Sequence, residues 1–164
     1  MAGISTEIHI SFWMKSGTPS NNYTGIIERY INPLGGASGF KVYNGYSPSY
    51  LTRMLISSSV GAAAGANITS NANNGNWNKI DAIYDGRYIK MYFNGVLEGT
   101  TDASLTLGAQ ANSLYIGADS FDLINRLYKN SLDEIKISDT ARSLGWIKTE
   151  YNNQNSPATF YTVT

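Results

Sequence analysis

The sequence predicts an all-β protein built as two packed antiparallel sheets, and three observations carry that prediction. Apolar residues recur mostly at every second position, the period of a strand with one buried face. Asn and Gly punctuate short apolar runs spaced about 8 to 12 residues apart, the rhythm of a sandwich rather than of helix-bearing α/β units. Composition is polar yet weakly charged, with 17 Asn, 18 Ser, 13 Thr and 16 Gly against 15% charged residues, and 12 tyrosines. At 164 residues the chain fits a single domain, 1–164. That size buries roughly 70% of the unfolded surface without disulfides or metals.

The elements follow in order. From Glu7 to Lys15, Ile8, Ile10, Phe12 and Met14 share one face and His9, Ser11, Trp13 and Lys15 the other. Strands are expected next at Gly25–Tyr30, Phe40–Tyr43, Leu51–Ser57 and Asn78–Tyr84. Gly61–Gly65 (GAAAG) reads as a loop, because flanking glycines and three serines outweigh its alanines. The clearest hairpin runs from Tyr88–Phe93 through Asn94-Gly95 to Val96–Thr100, since Asn-Gly supplies the two positive φ angles of a type I′ turn. Asp85-Gly86 marks a second tight turn upstream and completes a three-strand meander. Strands Ser113–Ala118 and Leu132–Ser138 follow. One helix is expected at Leu144–Tyr151, capped by Ser143 and docked through Leu144, Ile147 and Trp146. A last extended piece is expected at Thr159–Val163.

Composition also excludes. There is no cysteine, so disulfides, thiolate metal sites and cysteine nucleophiles are ruled out together. The one histidine, His9, leaves no multi-histidine metal site. Twelve basic residues balance twelve acidic ones without a basic cluster, so the electrostatic footprint of a nucleic-acid partner is missing. The opening residues show no basic stretch followed by an apolar core, so no signal peptide is expected within these residues, and no apolar run reaches the length that inserts in a membrane.

Four blocks, IHISFWMKSG, NGNWNKIDAIYDGRYIKMYFNGVLEGT, SLYIGADSF and NSLDEIKISDTARSLGWIKTEYNNQNSPATFY, resemble in content and order the laminin G-like domains of the concanavalin A-like lectin/glucanase superfamily. The likeness is closest to the type found in large secreted or surface proteins of bacteria and archaea. It implies a two-sheet antiparallel jelly-roll sandwich, to which the residues add one short C-terminal helix, as a module of a larger extracellular or cell-surface protein. Trp13, Trp77, Tyr84, Tyr92, Asn94, Gly95, Ile116, Gly117, Asp133 and Ile135 fall at its signature positions. These are mostly scaffold positions, with Trp77 expected to pack and Asp133 to accept backbone hydrogen bonds. Family members begin with a strand ahead of the one corresponding to Ile8–Met14, and only seven residues precede Ile8. That strand is expected to be absent or to lie outside this sequence, leaving an open edge at Thr159–Val163 through which a homodimer or strand exchange would form.

Three constellations bear on function. A glycosidase needs two carboxylates on one face, but Asp133 and Glu134 are neighbours, which places them on opposite faces of a regular strand. His9 lacks an evident nucleophile and reads as a half-exposed strand residue. Calcium is a candidate ligand at Asp119 and Asp122, which follow a strand end in a family that often holds calcium at its rim; no cofactor is required. The third constellation is aromatic. Tyr43, Asn44, Tyr46, Tyr50, Trp77, Tyr88, Asn125, Arg126 and Tyr128 are the candidate carbohydrate-binding residues, because sugars need flat apolar surfaces for their C–H faces and amides or charges for their hydroxyls. The leading expectation is a non-catalytic lectin-like module with a glycan partner. The alternatives are an adhesion or spacer domain with a protein partner, and, third, a glycosidase or its remnant.

Overall fold

The computed structural model describes residues 6–17, 23–31, 38–46, 51–58, 60–108 and 113–160. Among these residues, ten strands and two helices follow one another as β1 (Ile8–Lys15), β2 (Thr24–Ile31), β3 (Ser38–Tyr46), β4 (Leu51–Ser57), β5 (Ala63–Asn67), β6 (Trp77–Tyr84), β7 (Tyr88–Phe93), β8 (Val96–Asp102), β9 (Tyr115–Ile116), β10 (Ser131–Ser138), α1 (Leu144–Asn155) and α2 (Pro157–Phe160). The strands form two five-stranded sheets. The helix-bearing sheet has the order β10-β1-β6-β7-β8 and the open sheet the order β5-β4-β3-β2-β9, with every named pair antiparallel.

Alternation places the core. Ile8, Ile10, Phe12 and Met14 from β1, with Ile80, Ala82 and Tyr84 from β6, face Phe40 and Val42 from β3 and Met54 and Ile56 from β4, all essentially water-free. The Asn94-Gly95 turn has φ of 50° and 76°, the positive pair that hairpin requires.

Four expectations are corrected. Ala63–Asn67 is a strand, paired along β4, because its small side chains let the backbone close on the sheet and cross under the Gly99 segment of β8. The Ser113–Ala118 strand shrinks to Tyr115–Ile116, since Gly117 turns away at φ 78°. Thr159 and Phe160 end a helical turn, while 161–163 lie outside the described residues. No open edge therefore forms at Thr159–Phe160, and β1 already has partners on both sides. Helix α1 buries Ile147 against Ile83 and Tyr92, but Leu144 and Trp146 remain exposed, Trp146 beneath the Arg142 guanidinium.

Candidate functional site

The outer faces of the two sheets are finished differently. On the helix-bearing sheet the alternation that sends Ile8 and Ile10 inward sends His9, Lys79 and Asp81 outward, under α1. Lys79 Nζ donates to both Asp81 oxygens at 2.9 and 3.0 Å and to Glu150 of α1 at 2.8 Å; His9 Nε2 lies 2.9 Å from Asp81. His9, Lys79 and Asp81 are all at most 4% exposed. His9 is thus buried rather than half-exposed, committed to a network that docks the helix. Burial pushes the Glu150 carboxyl up, but hydrogen bonds from Lys79 and Lys136 more than reverse this and leave it below the ordinary value.

Among the described residues no helix packs on the outer face of the open sheet. Alternation brings Glu28 and Tyr30 of β2, Lys41 and Tyr43 of β3 and Leu55 of β4 to that face, with Glu28 opposite Lys41 and Lys41 opposite Leu55. The segment from Asp119 to Leu127 lies over one side of it. That segment is shaped by its own acids: Asp119 Oδ1 accepts from Phe121 N at 2.9 Å, and Asp122 Oδ1 accepts from Ile124 N and Asn125 N at 3.1 and 2.9 Å. Glu28 accepts from Ser120 N and ties the segment to β2.

Between the two lies a cleft of about 270 Å³ lined by Tyr23, Tyr30, Lys41, Tyr43, Phe121 and Arg126, closed by Leu55. Its cations are held among rings. Lys41 Nζ sits 4.8 Å from the Tyr43 ring centre and 5.3 Å from that of Tyr30, and the Arg126 guanidinium 5.2 Å from Tyr23 and 5.3 Å from Phe121. Both converge on one buried carboxylate, Asp119 Oδ2, at 3.0 Å from Lys41 and 3.6 Å from Arg126. Glu28, fully buried at the side of this group, has its carboxyl raised by loss of water, against the opposing hydrogen bonds from Ser120. Such a cleft offers flat apolar walls and fixed N–H donors within hydrogen-bonding reach of each other.

A laminin G-type family model, described as the concanavalin A-like lectin/glucanases superfamily, matches residues 3–160. The chain belongs to this superfamily. Comparison with curated protein sequences returns no match. Among solved structures, the binding domain of the Paraclostridial mosquitocidal protein 1 superposes with a TM-score of 0.70 at 11% identity, covering 94% of this chain and 39% of that one. The binding domain of botulinum neurotoxin serotype G gives 0.67 at 16% identity, with 94% and 38% covered. At these identities the likeness is one of fold, and this chain spans about two fifths of each neighbour.

The superfamily's lectin and glucanase names frame how the predicted residues fall. Tyr43 and Arg126 line the cleft, and Asn125 stands beside it on the surface, bound to Asp122. The others lie elsewhere. Asn44 is buried and clamps Gly45 N and Asn73. Tyr128 belongs to the inter-sheet core, where burial raises its hydroxyl pKa to about 12; a tyrosine in a loop read as surface fills the sandwich instead. Tyr88 sits on the meander between Arg87 and Lys90. Trp77 is 44% exposed rather than packed. Tyr46 ends β3, and Tyr50 lies outside the described residues. Tyr23, Tyr30, Lys41 and Phe121 were missed. The strand pairing Glu28–Lys41 carries their only sequence signal, an outward polar face flanked by tyrosines.

Asp119 and Asp122 do not fit calcium. That ion takes six to eight oxygens, whereas Asp119 is neutralised by Lys41 and Arg126 and Asp122 holds its own turn. Among the described residues no group of three or more acids or histidines could hold a metal. Asp133 and Glu134 depart from expectation too. Glu134 and Ile135 together oppose Phe12, a bulge with Glu134 at φ 49°, so both acids line one cavity rather than opposite faces.

Proposed function

We propose that the chain is a non-catalytic carbohydrate-binding module of an extracellular or cell-surface protein, taking a sugar in the cleft of the open sheet. One observation carries this reading: four aromatic rings and two ring-held cations line a single cleft on the sheet face that neither described helix covers. Tyrosine and phenylalanine rings suit the C–H face of a pyranose, while Lys41 and Arg126 donate to its hydroxyls. The cleft lies at the small end of ligand pockets, which suits one terminal sugar rather than a long chain. The binding domains with which the chain shares its fold agree with a recognition role. His9 lies sealed beneath α1 and contributes to docking rather than to catalysis.

The test is a glycan array probed with the wild type and with Tyr23→Ala/Arg126→Ala, the folding of both checked by circular dichroism. Selective binding that the variant loses is expected. Binding retained by the folded variant would remove the cleft from the reading. Silence across the array would favour the adhesion alternative, for which the exposed apolar side chains of Ile116, Phe121, Leu123, Ile124 and Leu127 provide a surface.

A further inference from the structure

A second and larger cavity, about 510 Å³, opens on the outer face of the helix-bearing sheet beside α1 and α2. Trp13, Trp77, Asp133, Glu134, Asn153 and Asn155 line it, with Gln154 between them. We propose that it is a second ligand site, specific for a sugar carrying a protonated amine, a hexosamine unit.

The cavity has a fixed floor. The Trp13 indole stacks on Tyr151 at 5.9 Å and its Nε1–H donates to Gln154 Oε1 at 2.7 Å. Gln154 Nε2 in turn donates to Glu134 at 3.4 Å. Trp77, on the same cavity, shows 44% of its surface, and its indole makes no hydrogen bond or ring contact among the described residues. A large exposed indole beside a cavity stabilises the fold little and serves a ligand well.

Charge selects the ligand. Glu134 pairs with Lys136 at 3.1 Å, a cation it shares with Glu150 at 2.9 Å. Asp133 accepts one backbone hydrogen bond, from Glu134 N at 2.8 Å, and forms no ion pair among the described residues. Lys15, next to Trp77 in register, makes none with it either. One exposed carboxylate without an ion-pair partner among the described residues thus stands at the cavity beside an exposed indole, the side chain that attracts a cation over its face best. The bulge produces this placement, since the left-handed Glu134 restarts the alternation and turns Asp133 and Glu134 into the same space. A neutral sugar would strip water from Asp133 without compensating its charge. A bare ammonium would leave the amides of Asn153 and Asn155 unused. A pyranose with an ammonium substituent uses all three features: the indole takes the C–H face, Asp133 the ammonium, and the amides the hydroxyls.

The experiment is calorimetry and tryptophan fluorescence on the full chain at a pH where the amine is protonated. Three probes are compared: the glucosamine tetramer, its fully N-acetylated counterpart, and choline. The glucosamine tetramer is expected to bind about tenfold tighter than the acetylated one and well above choline. Trp77→Ala should abolish tetramer binding. Asp133→Asn should remove the tenfold preference while leaving the acetylated tetramer's affinity unchanged. Tyr23→Ala/Arg126→Ala should leave all three affinities as in the wild type, which separates this site from the cleft of the open sheet. Equal affinity for the two tetramers, a preference that survives Asp133→Asn, or choline binding as tightly as the glucosamine tetramer would each overturn the proposal.

Discussion

Removing the Asp81 carboxylate should be among the most damaging single changes on the outer face of the helix-bearing sheet. Asp81 is fully buried and accepts from Lys79 at 2.9 and 3.0 Å and pairs with His9 at 2.9 Å. Truncating one partner of a buried ion pair costs about 3–5 kcal/mol, because the charge left behind has neither water nor a counter-ion. In Asp81→Ala, Lys79 keeps Glu150 at 2.8 Å, so the lower end applies, about 3 kcal/mol. For a chain of this length that is a fall in Tm of about 6–12 °C, read by calorimetry or circular dichroism. The loss should persist at high salt, since buried charges are poorly screened. Glu150→Ala shares Lys79 with it, so the two changes together should differ from the sum of the single effects by about 0.5–3 kcal/mol. A Tm within about 2 °C of the wild type, or strict additivity of the pair, would refute the buried network.

Three further outcomes follow from particular contacts. Burial raises the Glu28 carboxyl above its ordinary 4.5, so its contribution to stability is full below that value and lost as pH rises through the raised one. The difference in Tm between wild type and Glu28→Gln should therefore shift toward the variant as pH rises from about 4 to 8; parallel curves would show that the shift is absent. In Gly99→Ala the new Cβ would meet the Asn67 backbone carbonyl, a contact that side-chain motion cannot relieve. A loss of about 1–3 kcal/mol is expected in urea titration, and an unchanged midpoint would deny the close crossing of β5 and β8. Ser143→Ala removes the cap that accepts from Trp146 N at 3.3 Å; about 1 kcal/mol should be lost, and none if α1 is held by its docking alone.

Period-two patterning and turn chemistry are local properties, and the elements they govern were legible. The β1 alternation, the Asn94-Gly95 hairpin and the start of α1 fall where expected. The end of α1 did not, because Asn152, Asn153 and Asn155 are poor helix formers and the last turn is held through tertiary contact, Trp13 with Gln154 and Tyr151. Ala63–Asn67 was misread for a related reason: its small residues suit a close crossing, which periodicity does not report. The site was half visible. Alternation indicates that Glu28, Lys41 and Tyr43 face outward, but not that residues 119–126, some eighty positions on, lie across them. Only that long-range placement joins Arg126 to Tyr23 and makes Asp119 a counter-ion. Likewise the bulge at Glu134 cancels the alternation that should have separated two neighbouring acids.

The most direct test of carbohydrate recognition by the open sheet is a two-dimensional NMR titration of the labelled chain with a sugar selected on the array. Amide shifts clustered at Tyr23, Tyr30, Lys41, Tyr43 and Arg126, absent in Tyr23→Ala/Arg126→Ala, are the expected result. Shifts that spare those residues and gather elsewhere on the sandwich would contradict it.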